Sequence, residues 1–90
     1  MGLNITFDST KDATNFAKHG VSLALTEQMA WDSTVVWPDA RRVYDEPRQC
    51  GIGYIGLRLY FVAFVDRADV RRVISLRKAN SREVNRYAKT

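Results

Sequence analysis

Hydrophobic and polar residues follow two different strand patterns in this chain. Near the start, Leu3, Ile5 and Phe7 alternate with polar residues, and this period of two predicts a half-buried β-strand. Residues 59–65 (LYFVAFV) are apolar throughout, and a run of this length predicts a central strand that is covered on both faces. The other predicted strands are residues 34–37, 48–54 and 70–76, with turns at residues 54–57 and 66–69.

The first predicted helix has a recognisable start, end and apolar stripe. Ser9 is a favourable N-cap with Asp12 in the capping-box position, and Gly20 is a favourable C-terminal stop. The stripe that is expected to face the core consists of Ala13, Phe16 and Ala17.

Two further helices are predicted. One covers residues 22–31, with Leu25 and Met29 facing the core. The last begins at Asn80 or Ser81 and is too short to be stable alone, so it must dock on the sheet. Its packing stripe is expected to be Val84, Tyr87 and Ala88.

The predicted element order is β-α-α-β-β-β-β-α. Consecutive hairpins favour a largely antiparallel sheet with the helices on one face, which is the α+β class. Because 90 residues are about the size of one small domain, residues 1–90 are expected to form a single domain.

The composition excludes several classes of site. The chain has one cysteine, Cys50, and one histidine, so it contains neither an intramolecular disulfide nor a Cys/His zinc cluster. We expect no metal site and no cofactor. No apolar run approaches the length of a membrane span and no signal peptide is visible, so the protein is expected to be cytoplasmic and to have no membrane partner.

Basic residues are concentrated in the last third of the chain. Residues 58–90 carry nine Lys or Arg against three Asp or Glu, a net charge of +6, whereas residues 1–57 carry five against seven, a net charge of −2. A cationic end on a mildly acidic domain indicates a partner that bears phosphates. A solvated basic face explains the same charge distribution equally well.

The predicted hairpin divides these charges into two clusters. If the last two strands pair around a turn at residues 66–69, Val65 faces Val70 and Arg58 faces Arg77. The two ends are then roughly 30 Å apart, which is too far for one phosphate to contact both. Regular alternation along the last strand also places Arg72 and Arg77 on opposite faces of the sheet. The expected clusters are Glu46, Arg48, Arg67 and Arg72 at one end, and Arg58, Arg77, Lys78 and Arg82 at the other.

Short motifs along the chain resemble, in the same order, those of the BrnT family of toxins from bacterial type II toxin–antitoxin systems. They are FDSTK at 7–11, NFAKHGVS at 15–22, Asp32, WPD at 37–39, EPR with IG at 46–53, Arg67, VISLRKA at 73–79, Glu83 and Tyr87. Individually these motifs are weak, but the ordered set is fairly specific and covers nearly the whole chain. Val65 departs from the pattern, because the family usually has a threonine there.

The resemblance implies a RelE-like fold and metal-independent cleavage of RNA. It also implies inhibition by a cognate antitoxin of the BrnA type, which has a ribbon-helix-helix DNA-binding part. The toxin and antitoxin together would repress their own operon, so that this chain reaches operator DNA only through the antitoxin. On this basis the chain is expected to be a metal-independent endoribonuclease that inhibits growth.

Metal-free cleavage of RNA needs a base for the 2′-hydroxyl, cations for the phosphorane charge and an acid for the leaving 5′-oxygen. Arg67 and Arg77 are the predicted cations, because guanidinium is planar, permanently charged and bidentate. The alternatives are a solvated turn arginine for the first and an ion pair with Glu83 for the second. Glu46 is the candidate base or else an ion-pair partner for Arg48, and His19 is a candidate acid or base or else a helix cap.

Further basic and aromatic residues are predicted to contact RNA. Some have a structural alternative, since Lys18 suits the end of a helix dipole and Tyr87 has helical spacing to a core position. The predicted RNA contacts are Lys18, Arg48, Arg58, Arg72, Lys78, Arg82 and Tyr87.

A second class of function stays open at this point. The chain could be a catalytically weak or inactive toxin-like module that acts through antitoxin binding, nucleic-acid binding and operon repression. The loss of the threonine hydroxyl at Val65 and the separation of the two clusters favour this alternative.

Overall fold

Five strands form one sheet in the computed structural model, which describes residues 4–40 and 46–90. The strands are β1 (Asn4–Thr6), β2 (Val35–Pro38), β3 (Gln49–Ile55), β4 (Arg58–Arg67) and β5 (Val70–Lys78). Their order across the sheet is β1-β5-β4-β3-β2, with β1 parallel to β5 and the other pairs antiparallel. The predicted α+β class, largely antiparallel sheet and central position of β4 are confirmed. The predicted strand residue Leu3 and residues 41–45, which lie between two predicted strands, are outside the described residues.

Two α-helices of the described residues flank the sheet, α1 (Ser9–His19) and α2 (Ser81–Ala88). α1 begins after Asp8, not after Ser9, because the Asp8 carboxylate accepts a hydrogen bond from a backbone N–H of the first turn at 3.1 Å. It ends at Gly20 as predicted, where φ is +75° and the absence of a Cβ makes the left-handed conformation inexpensive. In the described parts of the chain, no helix is long and apolar enough to cross a membrane.

The predicted second α-helix is wrong. Residues 22–31 instead contain the 3₁₀-helix Leu23–Gln28 and the first residue of another, Trp31–Ser33. The buried Thr26 hydroxyl donates to the Leu23 carbonyl at 2.6 Å and so competes for the acceptor that an α-helix would use. The Met29 N–H donates to the Thr26 carbonyl at 3.1 Å, which is an i→i+3 bond of the 3₁₀ type.

The side of α1 that contacts the rest of the protein is polar. Asn15 is 4% exposed, and its amide donates to the Leu76 carbonyl at 2.8 Å and accepts from the Leu76 N–H at 3.0 Å. Asp12 does not complete a capping box but accepts a hydrogen bond from the Leu23 N–H at 2.7 Å. β1 covers only residues 70–72 of β5, so the open edge beyond them needs other backbone partners. The predicted inner stripe is therefore wrong, and its members are exposed: Ala13, Phe16 and Ala17.

The sheet has a hydrophobic core on each face. On the α1 face, Tyr60, Val62 and Phe64 of β4 pack with the segment after α1, including Leu25 and Met29 as predicted. On the opposite face, which we call the α2 face, the core consists of Cys50, Ile52, Leu59 and Phe61, with the C-terminal helix beside it. The prediction that all helices lie on one face is wrong.

α2 is fixed mainly at its two ends. Asn80 is the N-cap, as predicted, and Glu83 completes a capping box with it. Tyr87 packs against the α2-face core. The other two members of the predicted stripe, Val84 and Ala88, are exposed, so the predicted packing of this helix is correct only at Tyr87.

The β4–β5 hairpin has a tighter turn than the sequence predicts. The strands continue to Arg67 and Val70, so the turn consists of residues 68 and 69. Ala68 adopts a φ of +54°, a conformation that an L-residue with a Cβ disfavours. The observed facing pairs are Arg67 with Val70, Val65 with Arg72 and Phe61 with Arg77, in place of the predicted Val65 with Val70 and Arg58 with Arg77.

Candidate functional site

An extra residue in β5 places two arginines on the same face of the sheet. The pairing of β4 with β5 shifts at Ile74, which has no partner of its own in the register. Val73 and Leu76 therefore both belong to the α1-face core although they are three residues apart. Their neighbours Arg72 and Arg77 both point to the α2 face, and the predicted opposite orientation of these two residues is wrong.

At the turn end of the hairpin, a carboxylate and two guanidinium groups share a cavity of about 260 Å³. Arg67 donates from Nε and a terminal nitrogen to Glu46 Oε2, with the Nε distance at 2.7 Å. Arg72 lines the same cavity and has no ion pair within residues 4–40 and 46–90. Val65 forms part of the apolar wall. We call Glu46, Arg67 and Arg72 the hairpin cluster.

At the other end of the strands, Arg77 forms a bidentate ion pair with Glu83 at 2.9 and 2.8 Å. The Arg77 guanidinium also lies 4.4 Å from the centre of the Phe61 ring. Burial raises the pKa of the Glu83 carboxyl, but hydrogen bonds from Arg77 and the Asn80 N–H, with the charges of Arg77 and Arg82, outweigh burial and lower it. Arg77 therefore ties β5 to the first turn of α2.

The predicted second cluster is only partly assembled. Arg77 and Arg82 line one cavity on the α2 face. Arg58 and Lys78 are both exposed. Arg58 precedes Leu59, and Lys78 follows Arg77. Because both of those neighbours point to the α2 face, Arg58 and Lys78 point to the α1 face. These two predicted RNA contacts lie on the opposite side of the sheet from the hairpin cluster.

His19 and Lys18 lie apart from the other predicted catalytic residues. They are exposed at the end of α1 and line a shallow cavity of about 290 Å³ together with Thr14 and Ser75. None of Glu46, Arg67 and Arg77 lines that cavity. The four predicted catalytic residues therefore do not form one site.

Two predicted RNA contacts have structural partners. The Tyr87 ring meets Tyr54 edge to face with centroids 5.5 Å apart, and its hydroxyl donates to the Ser33 carbonyl at 3.3 Å. The Arg48 carbonyl accepts a hydrogen bond from the Asp39 N–H at 2.8 Å just before β3 begins. These contacts connect α2, β2 and β3 at the edge of the α2 face.

The tight turn shortens the distance between the two ends of the hairpin. Arg77 faces Phe61, and Arg67 is six positions after Phe61 on β4. At about 3.3 Å per residue this spacing is roughly 20 Å, less than the distance that the predicted register gives. A single phosphate still cannot contact both arginines.

Carboxylates neutralise part of the cationic tail. Among residues 4–40 and 46–90, three ion pairs involve arginines of the tail: Arg67 with Glu46, Arg71 with Asp66, and Arg77 with Glu83. Arg72 and Arg82 have no such pair in the described parts of the chain. The open cationic surface that the charge distribution predicts is thus reduced to individual groups, which are divided between the α2 face (Arg72 and Arg82) and the α1 face (Arg58 and Lys78).

Sequence reasoning missed two arginine contacts. The Arg86 guanidinium lies 3.7 Å from the centre of the Trp37 ring. Arg86 follows Arg82 by four residues on a helix, which is a signal that both side chains share one side. The Arg71 guanidinium lies 4.1 Å from the centre of the Phe64 ring on the α1 face. Regular alternation would place Arg71 on the same face as Arg77, and the bulge at Ile74 places the two on opposite faces.

No group of three or more His, Cys, Asp or Glu residues within 4–40 and 46–90 could hold a metal ion. The charged side chains that line the two cavities on the α2 face are carboxylates and guanidinium groups.

Comparisons with known proteins give two findings of similarity. Residues 7–83 match the family described as "Ribonuclease toxin, BrnT, of type II toxin-antitoxin system". The crystal structure of the Brucella abortus ribonuclease toxin BrnT is 30% identical in sequence, with a TM-score of 0.69. That similarity covers 89% of this chain and 100% of the Brucella chain. No curated protein sequence matches this chain.

Proposed function

Because this chain belongs to the BrnT family of ribonuclease toxins of type II toxin–antitoxin systems, we propose that it cleaves RNA at the hairpin cluster without a metal ion. The observation that carries this proposal is the contact of Glu46 with Arg67 in a cavity that Arg72 also lines. A carboxylate beside two guanidinium groups offers a proton acceptor next to a binding site for a phosphate.

In the proposed reaction, Glu46 takes the proton of a ribose 2′-hydroxyl, and the 2′-oxygen attacks the adjacent phosphorus. Arg67 and Arg72 stabilise the negative charge that develops on the phosphorane oxygens. The bond from phosphorus to the 5′-oxygen breaks, and that oxygen takes a proton from solvent. The products are a 2′,3′-cyclic phosphate and a 5′-hydroxyl.

An incoming phosphate would compete with Glu46 for Arg67. The Arg67 side chain is 76% exposed, so it can move from the carboxylate to a phosphate at small structural cost. This exchange would release Glu46 to act as a base. Arg77 has a different role in this proposal, since its bidentate pair with Glu83 holds α2 in place beside the bound RNA. His19 takes no part in the reaction.

The partner that we propose is a BrnA-type antitoxin with a ribbon-helix-helix DNA-binding part. The family description supports an antitoxin in general, because it places these toxins in type II systems. The expected consequences are growth arrest when this chain is expressed alone and normal growth when the antitoxin is expressed with it. Repression of the operon would require both proteins.

The direct test is an RNA cleavage assay in EDTA with analysis of the fragment ends. The purified protein should release fragments with 2′,3′-cyclic phosphates, and Glu46→Gln should lower the rate by about 100-fold or more if Glu46 is the base. Lys11→Gln is the control, because Lys11 is an exposed residue of α1 outside the hairpin cluster. Cleavage that appears only after a divalent metal is added would refute the metal-independent reaction.

A weak or inactive toxin-like module is the second candidate. Val65 lines the cavity of the hairpin cluster, so the hydroxyl of the family's usual threonine is missing beside Arg67 and Arg72. RNA binding that depends on salt, together with intact RNA in the cleavage assay and antitoxin-dependent operon repression, would support this second function.

A further inference from the structure

A cavity of about 550 Å³ lies on the α2 face between the first turns of α2 and the sheet. Its volume is within the range of pockets that bind small molecules or single nucleotides. The cavity is separate from the one that holds the hairpin cluster, and the two have no lining residue in common. The lining residues with a ring or a charge include Trp37, Phe61, Arg77, Arg82, Arg86 and Asp39.

One wall of the cavity is aromatic. Trp37 and Phe61 meet edge to face with ring centroids 6.1 Å apart. A guanidinium group lies over each ring, Arg86 at 3.7 Å from the Trp37 centre and Arg77 at 4.4 Å from the Phe61 centre. Nucleobases stack on both aromatic rings and guanidinium planes, so this wall presents the two kinds of surface that bind an unpaired base.

The charges around the cavity favour an anion. Glu83 is already bound bidentately by Arg77 and also accepts a hydrogen bond from the Asn80 N–H. Within 4–40 and 46–90, the Arg82 side chain has no ion pair or hydrogen bond, and the Arg86 side chain has a ring but no carboxylate as a partner. Both are exposed residues of the same helix, so either can reach a phosphate at the mouth of the cavity.

We propose that this cavity is a nucleotide subsite for single-stranded RNA, in which a base stacks on the Trp37 and Arg86 layer and Arg82 binds an adjoining phosphate. The RNA ligand rests on the proposed function, but binding here does not depend on cleavage at the hairpin cluster. Phe61 and Arg67 are roughly 20 Å apart along β4, so the nucleotide in the cavity lies several nucleotides along the RNA from the bond that is cleaved.

The subsite gives the substrate a minimum length. An RNA that is long enough to occupy both the cavity and the hairpin cluster gains the stacking contact, whereas a dinucleotide at the hairpin cluster does not. Stacking of one base on an aromatic side chain contributes enough to change affinity by about tenfold.

Fluorescence of Trp37 tests the subsite directly. The chain has two tryptophans, so Trp31→Phe leaves Trp37 as the only one, and Arg67→Ala in the same protein removes cleavage. The probes are adenosine 5′-monophosphate, ribose 5-phosphate and inorganic phosphate. We expect the nucleotide to quench Trp37 and to bind about tenfold more tightly than either probe that lacks a base.

Matched variants within α2 and at the residue that follows it locate the phosphate contact. Arg82→Gln should weaken nucleotide binding about tenfold, whereas Lys89→Gln, which removes the same charge from an exposed residue outside the cavity, should leave it unchanged. Calorimetric titration of the protein with both tryptophans gives the same comparison if Trp31→Phe does not fold.

The outcomes separate this subsite from the proposed function. Equal binding of the nucleotide and ribose 5-phosphate, or binding that Arg82→Gln does not change, would overturn the subsite. Quenching by an acidic peptide but not by the nucleotide would overturn it in favour of a protein ligand. RNA cleavage by the parent protein without nucleotide binding at Trp37 would overturn the subsite and leave the proposed cleavage at the hairpin cluster in place. Nucleotide binding at Trp37 without RNA cleavage would support the subsite and contradict the proposed cleavage.

Discussion

Arg72 and Arg77 point to the same face of the sheet although they are five positions apart on one strand. The extra residue Ile74 reverses the alternation between them, so that Val73 and Leu76 both reach the α1-face core. Without this bulge, Arg72 and Arg77 would lie on opposite sides of the molecule. The bulge thus determines that the hairpin cluster and the α2 cavity share one face.

A threonine at position 65 should increase cleavage. Val65 lines the cavity of Arg67 and Arg72, so the hydroxyl of Val65→Thr would add a hydrogen-bond donor for a phosphate oxygen. We expect the rate of RNA cleavage in EDTA to rise by about tenfold, consistent with one added hydrogen bond to a charged group. Val36→Thr on the exposed edge strand β2 makes the same chemical change elsewhere and should not alter the rate. A rate that Val65→Thr leaves unchanged would show that the hydroxyl is not needed.

A glycine in the hairpin turn should stabilise the fold. Ala68 has a φ of +54°, where a side chain with a Cβ is disfavoured by about 1–2 kcal/mol. Ala68→Gly should therefore raise the free energy of unfolding by about 1 kcal/mol, less the entropy that glycine adds to the unfolded chain. Chemical denaturation monitored by circular dichroism measures this change. Destabilisation of similar size would mean that Ala68 does not occupy the left-handed region in solution.

The buried Asn15 should be essential for stability. Its side chain forms hydrogen bonds with the carbonyl and N–H of Leu76 at the open edge of β5. Asn15→Ala leaves both backbone groups without those partners in a buried place, at a cost of about 2–4 kcal/mol. Asn85→Ala, at an exposed position of α2, should change the free energy of unfolding by less than about 0.5 kcal/mol. Similar denaturation midpoints for the two variants would contradict the role given to Asn15.

The pair of Arg77 and Glu83 should make stability depend on pH in the acid range. The pKa of Glu83 is lowered from its ordinary value of 4.5 on folding, so the unfolded chain binds this proton more tightly than the folded protein. The stabilisation is complete above pH 4.5 and disappears as the pH falls through the lowered pKa. Thermal unfolding should show Glu83→Gln less stable than the parent at pH 7, with the difference shrinking in acid. A difference that is constant across this range would exclude the titration of Glu83 as its cause.

The sequence predicts the parts of the fold that depend on local patterns. The apolar run of β4, the glycine stop of α1 and the Asn80 cap of α2 each have a local cause, and all three are observed. The burial of Asn15 could not be predicted, because it depends on an edge of β5 that lies 61 residues away in the chain. The bulge at Ile74 could not be located from the sequence, because the pattern of residues 70–78 shows only that regular alternation leaves neither face purely apolar.

The candidate site was predictable only in part for the same reason. Glu46 and Arg67 are brought together as one predicted cluster requires, since both lie at the ends of neighbouring strands. The distance between Arg67 and Arg77 depends on the two-residue turn of the hairpin and on the strand register that this turn fixes. The distance of His19 from the hairpin cluster depends on where α1 docks. The predicted apolar stripe of α1 was wrong, so it could not give that position.

The comparison of Arg72→Gln with Arg71→Gln tests the central claim most directly. These arginines are neighbours on β5 but point to opposite faces, because Arg71 lies over Phe64 on the α1 face and Arg72 lines the cavity of the hairpin cluster. With folding of both variants verified by circular dichroism, RNA cleavage in EDTA should fall about 100-fold or more in Arg72→Gln. The rate of Arg71→Gln should stay within a few-fold of the parent. Equal rates in the two variants, whether both lowered or both unchanged, would contradict a reaction on the α2 face.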